Sequence, residues 1–225
     1  MSIQRKPFFI LGLVVLLGSG LFFWRSQRSA LAPSVSPEPN TFSDEAVLVP
    51  REAPPVTPSE VTPLERANER VTKKPFGIFI DPETSPVQPE RFRGYHTGAD
   101  FETFPEEAAM ALPIRAVCDG KVLDKRVATG YGGMLVTSCT LSLKSVTVVY
   151  GHLALVSIPW RIGDTVTTGD ILGNLGLGGS RETDGERKHL HLSIHKGEAL
   201  NIRGYTSKKS ELDSWIDPCE YFCGK

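Results

Sequence analysis

The residues of this 225-residue chain that could most readily do chemistry are its histidines, of which it has only five. Three of them, His189, His191 and His195, lie in the run HLHLSIH. In a β-strand they would share one face, while the apolar residues between them point into the core. His189 and His191 would lie roughly 7 Å apart along the backbone, so one can bind a metal ion while the other acts on a ligand of that ion. His195, roughly 13 Å from His191, is expected outside that site.

A fourth histidine occurs in the motif Tyr95-His96-Thr97-Gly98-Ala99-Asp100. A fully extended strand would hold His96 and Asp100 roughly 13 Å apart, too far to share one ion. If both are ligands, the chain must turn near Gly98, where glycine adds no steric penalty. The alternative is a turn that contains an incidental histidine.

The fifth histidine, His152, lies in the segment Val148–Leu153 and alone is weak evidence for a site. Taken together, however, the three motifs supply two histidines and one carboxylate. This is the three-ligand set of an open catalytic zinc site, and it leaves other histidines to handle protons.

The elements that would have to position these residues begin near Phe76, where short β-branched runs alternate with glycine turns and no useful helical period occurs. We expect a mostly β domain over residues 76–225, built as a single antiparallel sheet or barrel-sandwich. The predicted strands contain Ile114–Val117, Met134–Val136, Ser145–Tyr150, Ile171–Leu172 and Leu190–Ile194.

Two segments of different composition precede this domain. Residues 7–24 carry no charge and are flanked by basic residues, which predicts an N-terminal signal anchor or transmembrane helix over residues 1–25. A signal cleaved after Ala30-Leu31-Ala32 is the alternative. Residues 26–75 hold nine of the 17 prolines and are predicted to form a disordered linker. We therefore expect a single-pass protein bound to the membrane by its N-terminal helix, and a monomer.

The charge and cysteine content narrow the class of protein further. With 25 basic and 26 acidic residues the net charge is -1, so there is no bulk electrostatic case for nucleic-acid binding. An even number of cysteines in an exported domain is compatible with disulfides. The economical pairs are Cys118 with Cys139 and Cys219 with Cys223, although free thiols remain an alternative.

These motifs, in this order, resemble the lysostaphin-like (β-lytic) zinc metalloendopeptidases, which cut peptidoglycan peptides. The resemblance runs from about Phe76 to Phe222. Besides the histidine motifs, it includes PIRA followed by DGKV at 113–122, the glycine-rich hairpin at 163–179, and the closing IDPCEYF.

The resemblance implies one zinc ion per chain, bound by His96, Asp100 and His191. It implies His189 as general base and His152 as a second catalytic histidine that orients water or stabilises the oxyanion. Tyr150 would fix His152 or line the cleft. The implied substrate is peptidoglycan peptide, and the implied location is the bacterial cell envelope with the catalytic domain outside the cytoplasm.

The chain also departs from its relatives, since residues 181–188 (RETDGERK) form a longer charged loop before the His189 motif. Two alternatives remain: a catalytically inactive envelope protein that binds peptidoglycan or activates a hydrolase, and a barrel-sandwich carrier domain. Inactive relatives typically lose ligands, and a carrier domain leaves the histidines unexplained.

Overall fold

The computed structural model describes residues 61–224, which fold mainly into β-strands. In chain order these are β1 (Phe79–Ile80), β2 (Gly94–His96), β3 (Gly98–Glu102), β4 (Pro113–Arg115), β5 (Gly120–Ala128), β6 (Gly132–Leu141), β7 (Lys144–Gly151), β8 (Thr165–Val166), β9 (Ile171–Asn174), β10 (His189–Lys196), β11 (Tyr205–Thr206) and β12 (Trp215–Ile216). The helices of this region are short: α1 (Cys219–Phe222) and the 3₁₀ turns Ala67–Glu69, Pro105–Glu107, Leu155–Ser157, Arg181–Thr183 and Lys209–Ser214.

The strands form three antiparallel sheets rather than one. The largest has seven strands in the order β12-β10-β7-β6-β5-β8, with β3 also paired to β10. A second sheet has the order β1-β2-β11, and β4 pairs with β9 in a third. The prediction of a mostly antiparallel β fold is confirmed, and the prediction of a single sheet is wrong. Several strands span only two to four residues, and the chain bends out of one sheet into another, as it does at Thr97 between β2 and β3.

All five predicted strand runs overlap observed strands, but seven observed strands lie outside those runs, and β5 is the longest of the seven. Its sequence, GKVLDKRVA, contains four charged residues, and they hide the alternation of buried and exposed positions along the strand. Val122 is buried on this strand and pairs with Thr137 of β6. Pairing with β6 and β8, rather than local hydrophobicity, therefore establishes β5.

Strand β10 lies inside the large sheet and places the predicted site at its centre. His191 pairs with Asp100 of β3 on one side and with Gly151 of β7 on the other. The intervening Leu190 and Leu192 are completely buried in the main hydrophobic core. The apolar face of β10 thus anchors the strand, and the opposite face carries the imidazoles, as the period of two predicted.

Residues 61–75, the last part of the predicted linker, are folded against the domain. Leu64 and Ala67 belong to its hydrophobic core, and the N–H of Arg115 donates to the Pro63 carbonyl at 2.8 Å. The apolar side chains and backbone partners of this stretch outweigh the effect of its prolines. The predicted anchor over residues 1–25 and the rest of the predicted linker lie outside the described residues. Between residues 61 and 224, no helix is long and apolar enough to cross a membrane.

Both predicted cysteine pairs are joined as disulfides, Cys118–Cys139 and Cys219–Cys223. The first closes a loop with a sequence separation of 21 and the second a loop with a separation of 4. All four sulfurs are therefore used, and the described region contains no free thiol.

Removing the longer-range disulfide is expected to cost more stability than removing the local one. Loop-closure entropy in the unfolded chain gives about 3 kcal/mol for C118A/C139A and about 2 kcal/mol for C219A/C223A. Urea unfolding of both double variants measures the difference. A larger loss in C219A/C223A would contradict this entropic account.

Candidate active site

Three buried side chains converge on one point at the centre of the large sheet. His96 Nε2 lies 3.0 Å from His191 Nδ1 and 3.3 Å from Asp100 Oδ1, and His191 Nδ1 lies 3.1 Å from the same oxygen. All three residues are buried: His96 is 0% exposed, Asp100 2% and His191 4%. Together they form a group that could hold a metal ion.

The shape of this triangle fits a zinc ion. Ligand atoms about 2.0–2.1 Å from a tetrahedral centre lie roughly 3.3 Å from one another, close to the three observed separations. Two imidazoles and one carboxylate are also a typical donor set for zinc that keeps an open fourth position. The residues present therefore fit the metal that the sequence motifs indicated.

The bend between β2 and β3 brings His96 and Asp100 together. His96 ends β2, and Asp100 lies within β3, which belongs to a different sheet. Gly98 is needed at this bend because of close approach. A side-chain carbon there would lie 2.4 Å from the Leu192 carbonyl oxygen and 2.8 Å from His191 Nε2. The bend that His96 and Asp100 need in order to share one ion is thus present. Glycine is required at position 98 because the neighbouring strand β10 lies too close for a side chain.

A hydrogen bond sets the orientation of the His96 ring. His96 Nδ1 lies 3.2 Å from the carbonyl oxygen of Pro75, which can only accept, so we assign the proton to Nδ1. The lone pair of Nε2 then faces the triangle. Carbonyl groups hold metal-binding histidines in this way in many proteins.

The second oxygen of Asp100 has partners of its own. Arg187 Nη2 donates to Oδ2 at 2.9 Å, and His189 Nε2 lies 3.2 Å from it. Arg187 also donates to the Glu102 carboxylate, with Nε 2.9 Å from Oε2. Burial alone would raise the pKa of Asp100, but the charges of His189 and His96 and the hydrogen bonds from His189 and His191 hold that pKa well below its ordinary value. Asp100 is therefore an ionised carboxylate with Oδ1 turned toward the triangle.

The two remaining candidate histidines lie beside each other. The ring centroids of His152 and His189 are 4.2 Å apart, and His189 Nδ1 lies 2.9 Å from the Arg187 carbonyl oxygen. His152 follows β7 with a left-handed backbone, φ 63°, a strained conformation for a residue with a side chain. Its N–H and C=O bond to Tyr131 and Gly176, which hold this conformation. Burial, followed by the charge of His189, lowers the pKa of His152 well below its ordinary value and keeps it neutral.

Without metal, the domain is expected to lose stability on acidification. Burial lowers the pKa of His191 from 6.5 to about 4, against the opposing hydrogen bond to Asp100. Because the folded state then holds protons less tightly than the unfolded state, this stability is fully present above pH 6.5 and is lost as the pH falls toward 4. His152 acts in the same direction.

For the chelator-treated protein we expect the unfolding free energy to fall by a few kcal/mol between pH 7 and pH 4. Urea titrations across this range measure it, and His191→Gln should flatten the profile. A wild-type stability that is level or rises on acidification would contradict the assignment of His191 as a neutral buried ring.

A cleft of about 290 Å³ opens onto these groups. Besides Asp100 and three of the histidines, its lining includes Tyr131, Arg187 and Tyr205. Tyr131 was not predicted from the sequence. Its hydroxyl is buried and makes no hydrogen bond within the described residues, and its ring lies 5.2 Å from that of His191. The only signal was an aromatic residue flanked by glycines in Gly130–Gly133, a pattern that also occurs in ordinary hairpins.

Two other expectations about this region have opposite outcomes. Tyr150 does not line the cleft, because it is completely buried in the core and its hydroxyl accepts a hydrogen bond from the N–H of Val117 at 3.1 Å. His195 lies apart from the triangle, as its distance along the strand predicted, and packs edge-on against Trp215.

The charged loop at 181–188 borders the cleft. Glu186 and Arg187 line it, and the Lys188 side chain donates to the Glu107 carbonyl at 3.0 Å. The loop is thereby tied to the 3₁₀ turn Pro105–Glu107 at the rim. Glu186 and Arg187 are therefore part of the cleft, and the loop is not a detached surface insertion.

Comparisons with known proteins identify a matching family. The sequence model of peptidase family M23 matches residues 94–202, which contain all five candidate site residues. None of the curated proteins matches the chain.

Several solved structures are similar to this chain. LytU is 23% identical with a TM-score of 0.44, over 67% of this chain and 84% of that chain. Csd3 from Helicobacter pylori is 21% identical with a TM-score of 0.42, over 73% of this chain and 35% of the other. The antimicrobial peptidase lysostaphin from Staphylococcus simulans is 20% identical with a TM-score of 0.45, and this chain, covered over 73%, spans about half (53%) of it.

Proposed function

The chain belongs, through residues 94–202, to peptidase family M23, and on this basis we propose that it is a zinc-dependent endopeptidase. Its proposed substrates are the peptide cross-links or stem peptides of bacterial peptidoglycan. The observation that carries the proposal is the triangle of His96, Asp100 and His191, with His152 and His189 lining the cleft that opens onto it.

His96, Asp100 and His191 would hold one zinc ion per chain. A bound zinc ion would supply a Lewis acid that polarises the scissile carbonyl and lowers the pKa of water. The Pro75 carbonyl orients His96 from behind, and Arg187 holds the second oxygen of Asp100 so that only Oδ1 faces the ion. The protein thus presents one atom from each ligand residue.

Proton transfer falls to His189. Its Nδ1 donates to the Arg187 carbonyl, so Nε2 is the atom left for proton exchange. In the metal-free protein Nε2 donates to Asp100 Oδ2; to act as the base, it would first give up that proton, then take one from the attacking water and pass it to the leaving amine. The described sequence has no H-E-x-x-H glutamate to do this work. Asp100 Oδ2, 3.2 Å away, stabilises the imidazolium that forms.

His152 is the partner that orients water or the developing oxyanion. Its ring is buried and neutral, and Nδ1 makes no hydrogen bond to any described residue. Backbone hydrogen bonds to Tyr131 and Gly176 hold the residue at this position in the cleft. His152 therefore supplies a preorganised polar group beside His189.

We also propose that the protein acts in the bacterial envelope with this domain outside the cytoplasm, anchored by residues 1–25. The uncharged stretch at 7–24 supports membrane targeting. Two disulfides support an oxidising compartment, since such bonds are rare in the cytosol.

Digestion of purified peptidoglycan sacculi by the full chain in detergent tests the proposed function. We expect soluble muropeptides whose masses identify the cleaved peptide bond, no release after treatment with a chelator, and recovery on addition of zinc. Binding to sacculi without release of any fragment by the zinc-loaded protein would instead support an inactive peptidoglycan-binding relative.

A further inference from the structure

The segment that precedes the β domain covers one edge of the strand that carries Asp100. We call residues 62–75 the flanking segment. Strand β3 pairs with β10 along one edge, while on its other edge the N–H of Asp100 donates to the Lys74 carbonyl and the N–H of Glu102 to the Arg70 carbonyl, each at 3.0 Å. The backbone that holds Asp100 is thus fixed on both sides.

The same segment contacts the other end of the metal-ligand motif. The Pro75 carbonyl accepts from His96 Nδ1. Directly after the segment, Gly77 and Ile78 bond to the backbone of His96 at 2.9 Å each and so keep Pro75 beside this ring. Without the Pro75 acceptor, the imidazole proton would be free to move to Nε2, and a protonated Nε2 cannot bind a metal. The flanking segment therefore bears on two of the three proposed ligands.

Arg70 anchors this segment to the domain. Its side chain is only 2% exposed and donates to the carbonyls of Glu65 and Glu102 and, in a bidentate pair at 2.7 Å, to both carboxylate oxygens of Glu107. A buried guanidinium that makes four hydrogen bonds, two of them in a fork to one carboxylate, is geometrically specific. Since both the backbone carbonyl and the side chain of Arg70 contact Glu102, the position of Arg70 determines the position of the segment on β3.

We propose that the flanking segment is a positioning element of the metal site, with Arg70 as the residue that holds it in register. It presents the Lys74 carbonyl to Asp100 and the Pro75 carbonyl to His96, so that both ligands reach the ion in one geometry. The inference rests on the proposed zinc site. It implies that a chain beginning at residue 76 contains all five candidate site residues but lacks an ordered site.

The test compares Arg70→Ala with Arg66→Ala in the full chain. Arg66 is a matched control, because its guanidinium stacks on the same Phe104 ring, at 4.0 Å against 4.1 Å for Arg70. Among residues 61–224, its ion-pair partner is the exposed Glu69 alone. Three quantities are measured: zinc affinity by competition with a chelator, the visible absorption of the cobalt-substituted protein, and the ¹⁵N tautomer signal of His96 in the metal-free protein.

For Arg70→Ala we expect zinc affinity to fall about tenfold or more, an altered cobalt spectrum, and a rise in the Nε2–H tautomer of His96. For Arg66→Ala we expect wild-type spectra and an affinity within about twofold of wild type. A purely structural loss would lower stability without moving the tautomer of the folded protein.

The proposal is overturned if folded Arg70→Ala keeps the wild-type zinc affinity, cobalt spectrum and tautomer. Should Arg70→Ala fail to fold, the milder Glu107→Gln, which weakens the same pair, is compared with its neighbour Glu106→Gln by the same measurements and criteria. If the wild-type chain binds no zinc, the proposed zinc site itself has failed. If wild type binds zinc and the Arg70 and Glu107 variants match it, only the positioning role has failed.

Discussion

Asp100→Ala is expected to reduce zinc content from about one ion per chain to almost none and to abolish peptide hydrolysis. Asp100 is the only negatively charged member of the triangle, and its Oδ1 lies 3.3 Å from His96 and 3.1 Å from His191. Its removal leaves two imidazoles, without the carboxylate charge or the geometry of a three-ligand site. Metal analysis after dialysis and a peptidoglycan digestion assay measure the two losses.

The control for this variant is Asp124→Ala, which removes another buried carboxylate, on β5. It should keep about one zinc ion per chain. His191→Ala should behave like Asp100→Ala, since His191 contacts both of the other proposed ligands. Normal zinc content in both Asp100→Ala and His191→Ala would remove these residues from the ligand set.

His189→Ala is expected to lose about 10²–10⁴-fold in hydrolysis rate while its zinc content stays at about one ion per chain. His189 Nε2 faces Asp100 Oδ2, the oxygen turned away from the triangle, and so it is placed to move a proton rather than to bind the ion. Single-turnover hydrolysis together with metal analysis separates the two functions.

His195→Ala is the matched control, because it removes an imidazole from the same strand and the same face. His195 packs against Trp215 outside the cleft, so we expect hydrolysis and zinc content near wild type in the folded variant. Loss of zinc in His189→Ala would instead place His189 among the ligands.

Much of the site was predictable because it depends on local geometry. Alternation in HLHLSIH placed His189 and His191 on one face of a strand, and the structure has that strand as β10. The spacing of His96 and Asp100 required a bend between them, and β2 and β3 belong to different sheets. The predicted disulfide pairs and all five predicted strand runs also have counterparts in the structure.

What local patterns did not predict depends on contacts between distant parts of the chain. Strand β5 is specified by its partners rather than by its charged sequence. Tyr131 reaches His191 only because Gly151 leaves room, since a side-chain carbon there would lie 2.5 Å from the tyrosine ring. The folding of residues 61–75 likewise depends on distant contacts. Backbone carbonyls of this stretch accept hydrogen bonds from the free edge of β3. Arg70 also pairs with Glu107, 37 positions away.

The sequence by itself therefore determined which residues are candidates for the site, because residue type and strand periodicity are local properties that a linear pattern records. The tertiary structure alone decided which atoms face the metal position. That choice depends on hydrogen bonds from His96 to the Pro75 carbonyl and from Arg187 to Asp100, and these partners come from separate segments that only the folded sheets bring within 3.2 Å.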